Sequence, residues 1–148
     1  MNIRLAEARD AAALVEFNQA MALETEGKRL DAETLRSGVS AVFSDAAKGF
    51  YIVAEDVEQI VGGLMVTYEW SDWRNKWFWW IQSVYILPEH RGKHIYSAMY
   101  DLVKKLSDEK GGVCGFRLYV EKDNTHAQRV YENVGMNESI YLMYEEKI

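Results

Sequence analysis

The chain predicts an α/β fold of the mixed (α+β) kind: a central mixed β-sheet of about six strands flanked by four helices, in the order β-α-α-β-β-β-α-β-α-β. Three observations predict it. Apolar residues recur at helical spacing in four segments, and β-branched or aromatic runs lie between them. Glycine pairs, one proline and acidic turns mark the joints. With 148 residues, 49% hydrophobic and 27% charged, one domain spanning 1–148 can bury a core without disulfides or metal.

Asn2 to Leu5 reads as a short strand. Asp10 is suited to cap the first helix, and Leu14, Phe17 and Met21 share one face beyond it. A second helix runs from Asp31 to Phe43 through Leu35, Val39 and Val42. Gly49 opens a strand over Phe50 to Ala54, and an acidic turn, Glu55 to Glu58, leads to another from Ile60 to Tyr68. Gly62 and Gly63 weaken the start of that second strand, and the two form a hairpin. Trp77 to Leu87 is long, aromatic and β-branched, which suits a central strand, and Pro88 ends it.

The next helix spans about Gly92 to Ser107, with Ile95, Met99, Leu102, Val103 and Leu106 inward. Gly111 and Gly112 break the chain before a strand at Val113 to Val120. Asp123 or Asn124 caps the last helix, whose inward positions are Ala127, Val130, Tyr131 and Val134. Gly135 supplies a left-handed stop, and a last strand covers Met136 to Tyr144.

A net charge of −6 argues against a nucleic-acid partner, which needs a basic face. It is compatible with a cationic substrate, although an acidic balance is more often plain solubility. The single cysteine, Cys114, excludes an internal disulfide framework and fits a reducing cytoplasm. No charged-then-apolar leader opens the chain and no apolar run approaches membrane-spanning length, so no membrane partner is expected.

Chemistry concentrates first in the run Ile86 to Tyr96, where a strand meets an amphipathic helix through a turn carrying Arg91, Gly92 and Lys93. Amides at a helix N-terminus converge on phosphate, helped by the local dipole. Only one glycine serves this turn, and His94 and Tyr96 stand where a wide phosphate loop favours small residues. Downstream, Asn124, Ala127, Tyr131 and Gly135 follow the spacing Asn-x-x-Ala-x-x-x-Tyr-x-x-x-Gly. In these two motifs and in element order the chain resembles the GNAT superfamily of N-acetyltransferases. That family's loop reads Arg/Gln-x-x-Gly-x-Gly/Ala, matched here by Arg91 to Tyr96.

The resemblance covers essentially the whole chain and implies a GNAT-like fold, acetyl-CoA as co-substrate and no metal. It implies that the amides of Arg91, Gly92, Lys93, His94, Ile95 and Tyr96 wrap the pyrophosphate, with Arg91 and Lys93 adding charge. His94 either narrows that cradle or turns its ring to the phosphate, and Tyr96 has room to turn inward. Val84 and Ile86 would offer backbone groups to pantetheine along a splayed strand, one N–H polarising the thioester carbonyl. Asn124 would cap its helix and bond the cofactor. Tyr131 would be the general acid, since a phenol of pKa ~10 can protonate a thiolate whose acid has pKa about 8.5.

An alkylammonium of pKa ~10.4 must lose a proton before it attacks. Diamine acetyltransferases, which the chain resembles locally, carry a glutamate on the central strand where Gln82 stands, and an amide accepts no proton at neutral pH. Glu24, Glu26, Glu69 and Asp72, or ordered water, are the alternative bases. Trp70 to Trp80 holds all five tryptophans, and alternation sets Trp77, Trp79 and Ile81 against Phe78, Trp80 and Gln82. Core packing explains most of them, while Trp70, Asp72 and Trp73 are candidates for acceptor recognition. Glu24 and Glu26, in the loop between the first two helices, form a second acidic edge.

These residues suggest transfer from acetyl-CoA to the amine of a small cationic metabolite, and exposed aromatics point to a homodimer. An impaired GNAT-fold binding module or acyl-CoA sensor is the alternative, motivated by His94, Tyr96 and Gln82. Transfer to a peptide terminus would need an open acceptor groove.

Overall fold

Burial along the chain resolves into five strands and four helices in the computed structural model, which describes all 148 residues. Strands β1 (Asn2–Leu5), β2 (Phe50–Asp56), β3 (Gln59–Ser71), β4 (Lys76–Ile86) and β5 (Val113–Arg117) lie in that spatial order in one sheet. The first four pair antiparallel and β4 pairs with β5 in parallel, giving the mixed sheet the sequence predicts. The helices are α1 (Ala11–Glu26), α2 (Ala32–Ser44), α3 (Ile95–Lys110) and α4 (Thr125–Asn133). The chain divides into two compact units, Met1–Leu118 and Tyr119–Ile148. No helix is long and apolar enough to cross a membrane.

In the first unit, adjacent glycines show how the helices are distributed. Consecutive strand residues point to opposite faces. A Cβ on Gly63 would meet Leu14 and Phe17 of α1, whereas one on Gly62 would meet Ile86 of β4 and Ile95 of α3. Helices α1 and α2 therefore cover one face, closing Leu14, Phe17 and Val39 over Tyr51, Val53 and Tyr85. Helix α3 covers the other with Ile95, Tyr96, Met99, Tyr100 and Val103, all buried.

One cap and two boundaries differ from the sequence expectation. Asp10 makes no capping bond to α1. Its carboxylate instead takes both Nη groups of Arg4, at 2.8 and 3.0 Å, and the Glu7 amide at 2.8 Å. A fork-shaped cation outcompetes a single amide for the same oxygens. Glu24 and Glu26 belong to the last turn of α1, because Gly27 at φ 63° is where the left-handed stop occurs. Helix α3 begins at Ile95, since left-handed residues Gly92 (φ 76°) and His94 (φ 63°) precede it.

In the second unit, Asn124 caps α4, its side chain accepting from the Ala127 amide at 3.1 Å. Gly135, at φ 98°, follows the helix, and the Met136 amide returns to the Tyr131 carbonyl at 3.0 Å. Beyond it, Met136 to Tyr144 carries no strand within this unit. A ladder needs a second strand, and residues 119–148 contain none.

Candidate active site

The site begins with a break in register. Met65 faces Gln82 and Gly63 faces Tyr85, so Leu64 alone opposes both Ser83 and Val84. This is a β-bulge in β4, with Ser83 at φ 52°. An extra residue bends the strand and shifts which face the following side chains meet. Gln82 and Tyr85 consequently share the face toward α1 and α2, although they are three positions apart.

Past Trp80, β4 loses its β5 partner: the parallel ladder covers only Trp77 to Trp80, while β4 continues to Ile86. Within the first unit this leaves an open edge. The Leu87 amide bonds the Val61 carbonyl at 2.9 Å, so strand alternation turns the N–H and C=O of Ile86 away from β3, toward that edge. Val84 and Ile86 lie on the stretch of β4 beyond its ladder with β5.

The loop then folds into a short turn, Pro88–His90, and reaches α3 through Gly92, Lys93 and His94. Gly92 at φ 76° and His94 at φ 63° flank Lys93, and left-handed residues of this kind occur in anion-binding nests. They lead to the first turn of α3, whose amides at Ile95 and Ser97 lie beyond reach of an intrahelical carbonyl. Gly92, Lys93 and His94 are exposed, whereas Tyr96 is 4% exposed and stacks on Tyr100 at 6.0 Å. The bulky Tyr96 therefore turns inward and packs on the buried face of α3. His94 keeps the left-handed geometry despite its Cβ.

Arg91 differs from the expectation that its side chain serves phosphate. Its Nε–H donates to the Ile86 carbonyl at 2.9 Å and its Nη2–H to Glu24 Oε2 at 2.9 Å. The guanidinium also lies 5.2 Å from the Tyr85 ring centroid. Tyr85 Oη–H completes the group by donating to Glu24 Oε1 at 2.6 Å. Those contacts, Tyr85 first and Arg91 after it, hold the Glu24 carboxyl below the usual carboxylate range. Burial, followed by Glu24, pushes the Tyr85 phenol up to about 12.

A second cluster lies farther along the α1–α2 side of the sheet, where Thr67, Glu69, Phe78, Trp80 and Gln82 share a face through their cross-strand register. Glu69 Oε1 accepts from Trp80 Nε1–H at 2.9 Å and from Arg117 Nη1–H at 2.8 Å. Its carboxyl is held low by Trp80 and then by Arg117. Arg117 lies 3.6 Å from the Phe78 centroid, in a cation–π contact. Gly115 makes that arrangement possible, since a Cβ there would stand 2.8 Å from the Phe78 ring. The Gln82 amide donates to Thr67 Oγ1 at 2.5 Å.

The remaining nominated residues do not gather at one place. Trp70 packs edge-on to Trp77, at 4.9 Å, on the sheet face opposite Glu69 and Trp80. Asp72 and the 89% exposed Trp73 occupy the β3–β4 hairpin tip. Glu26 is exposed and pairs with Lys28 at 3.7 Å. Only Trp79 of the five tryptophans is buried. In the second unit, Tyr131 lies on α4 and burial raises its phenol above the ordinary range.

Arg117 and Tyr85 were not nominated from sequence. A cation inside the apolar run Val113 to Val120 is a signal that could have found Arg117. Tyr85 had none, because only the bulge turns it toward Glu24.

The sequence matches the model of the Acetyltransferase (GNAT) family over residues 11–136. Among solved structures, the chain is similar to a possible acetyltransferase from Clostridium difficile 630. Identity is 44% and the TM-score 0.90, over 99% of this chain and 97% of that one. A predicted acetyltransferase with acetyl-CoA from Clostridium acetobutylicum has the same fold at 20% identity and TM-score 0.79, with 98% and 95% covered. So does an aminoglycoside antibiotic 6'-N-acetyltransferase from Acinetobacter haemolyticus, at 13% identity and TM-score 0.81, with 100% and 99% covered. No curated protein matches at a significant level. Agreement between a family match across most of the chain and a neighbour of the same fold at 44% identity establishes that the protein belongs to the GNAT acetyltransferase family.

Proposed function

We propose that the protein is an acetyl-CoA-dependent N-acetyltransferase that transfers the acetyl group directly to a primary amine of a small cationic metabolite, with residues 1–148 acting as one catalytic domain. The observation that carries this reading is the open β4 edge from Ile81 to Ile86, running into left-handed residues at the foot of α3. These features fit a long polar ligand ending in phosphates: strand-edge groups for its amides and outward amides for its anions. When bound, acetyl-CoA supplies an activated thioester.

The chain's own residues divide the remaining work. Gly92, Lys93, His94, Ile95 and Tyr96 offer the phosphate cradle, and exposed Lys93 adds charge. Arg91 shapes the loop from behind. The Ile86 N–H, facing the open edge, would stabilise negative charge developing on a carbonyl oxygen laid there, with Val84 holding the chain alongside. Tyr131 Oη holds the proton for the leaving sulfur, a role supported by its motif and by the raised phenol. Asn124, beyond capping α4, completes the cofactor contacts in this reading.

Acceptor recognition is assigned to Glu69 and Gln82 beside the rings of Phe78 and Trp80, with Glu26, Trp70, Asp72 and Trp73 as an outer set. The net charge of −6 and the aromatic residues support polyamines, amino acids or aminoglycosides as acceptors. Glu24 and Glu69 are both held ionised by donors, which makes them weak bases, so ordered water is the favoured route for the amine proton. The single cysteine and the exposed tryptophans support a cytoplasmic homodimer.

Incubation with acetyl-CoA and an amine panel, reading free thiol, tests the proposal. Turnover on at least one cationic amine is expected, and Tyr131→Phe should lower the rate about 100-fold while CoA affinity by calorimetry is retained. Tight CoA binding without turnover on any amine would instead support an acyl-CoA sensor. His94 at positive φ and the engaged Gln82 amide are the observations that keep this second reading in play.

A further inference from the structure

We propose that Glu24 is a positioning residue for the phosphate loop: by gripping Arg91 together with Tyr85, it fixes the loop to α1 and β4 and thereby sets affinity for acetyl-CoA. The inference rests on the acetyl-CoA reading above and gives Glu24 a role other than base or acceptor ligand. Both its oxygens are engaged, Oε1 by Tyr85 Oη at 2.6 Å and Oε2 by Arg91 Nη2 at 2.9 Å. Through Arg91 Nε the grip extends 2.9 Å further to the Ile86 carbonyl.

Three elements meet in this group: the last turn of α1, the end of β4 and the loop before α3. Arg91 stands immediately before left-handed Gly92, so its side chain controls where the following amides begin. It also occupies the carbonyl of Ile86, the final acceptor on the open β4 edge. A ligand pairing with that edge is left the Ile86 N–H and the groups of Val84, which limits the register it can adopt. Only an arginine can do all of this at once. Its planar fork donates from Nε and Nη2 in different directions while its face rests on Tyr85, and a lysine ammonium cannot. Half-exposed ion pairs contribute little by themselves, so the effect arises from ordering a loop rather than from the pair's own energy.

Calorimetry with CoA, steady-state kinetics and amide hydrogen exchange on wild type, Glu24→Gln, Arg91→Lys and the double variant test the clamp. Expected results are a three- to tenfold weaker CoA affinity for Glu24→Gln, faster exchange across residues 87–94, and a rise in KM for acetyl-CoA rather than a fall in kcat. The double variant should bind no more weakly than the weaker single variant, because both changes open the same clamp. Unchanged affinity and unchanged loop exchange in Glu24→Gln would overturn the inference. So would a collapse of kcat with loss of its pH dependence, which marks a base. Failure of the wild type to bind CoA refutes the acetyl-CoA reading and the affinity role together, while loop exchange still reports whether the clamp holds the loop.

Discussion

His94 shows how one side chain is accommodated at a position that favours glycine. A Cβ in the left-handed region meets the following carbonyl, at a cost of roughly 1 kcal/mol. Here φ is 63°, and the residue stands at the N-cap of α3 without a side-chain capping bond to offset that cost. Glycine would remove the strain but gain freedom in the unfolded chain, which returns part of the benefit. His94→Gly should therefore stabilise by about 0.5 kcal/mol, while His94→Ala keeps the strain and should not. Urea denaturation, with the midpoint rising at constant slope for the glycine variant alone, checks this. Around it, the loop's charge is arranged in an unexpected way. Arg91, the nearest cation by motif, pairs with Glu24, and Lys93 beside it is exposed.

Element by element, the helices follow their apolar spacing closely, whereas the strands depend on their neighbours. Strands β3 and β4 run farther than their sequences predict, to Ser71 and back to Lys76, because Trp70 and Trp77 pair across the ladder. At the other hairpin, β2 and β3 are joined by Val57 and Glu58, both at positive φ (44° and 64°). Two such residues form the turn whose twist matches the flanking strands, yet neither side chain suits it. Val57 is 90% exposed, so its replacement sacrifices no packing. The paired substitution Val57→Asn with Glu58→Gly should add about 1 kcal/mol to stability. A thermal melt several degrees higher, with unchanged CoA affinity, is the expected result. The bulge at Ser83 is the other irregularity of β3 and β4. It diverts β4 from its regular course, and the side-chain faces change with it.

For the molecule as a whole, stability depends on a carboxylate network that joins β1, the start of α1 and β2. Arg4 holds Asp10 at 2.8 Å and Glu55 at 3.3 Å, and Asp10 is 4% exposed. Bonds from Arg4, then from the Glu7 amide, keep the Asp10 carboxyl below its usual range. A depressed folded-state value means that its stabilisation is complete above the unfolded value of ~3.9 and is lost as pH falls through the folded value. Glu24 and Glu69 are shifted the same way. Stability should thus stay level across neutral pH and decline below pH ~4. Asp10→Asn leaves Arg4 without its main partner and should cost about 3 kcal/mol at pH 7, a deficit that narrows below pH ~3. Denaturant titrations of both proteins across that range provide the measurement.

Local pattern sufficed for much of this protein: element order through α4, the cap at Asn124, the turn at Arg91 and the motif through Tyr131 are all repeated chemistry within a few residues. Contacts between distant residues have no local pattern. Glu69 and Trp70 are neighbours in sequence on opposite sheet faces, and Arg117 joins Glu69 from 48 residues away. Glu24 and Arg91, 67 residues apart, bond each other directly, and the bulge in β4 sets Tyr85 on the same α1 side, where it bonds Glu24 as well. Periodicity reports which face a residue takes relative to its immediate neighbours. Register, bulges and helix ends decide which distant residue it meets, and these are set by pairing across the sheet. The sequence by itself determined the fold and the turn between β4 and α3; tertiary structure decided that Arg91 in that turn bonds Glu24 and the Ile86 carbonyl, because those partners come from distant elements.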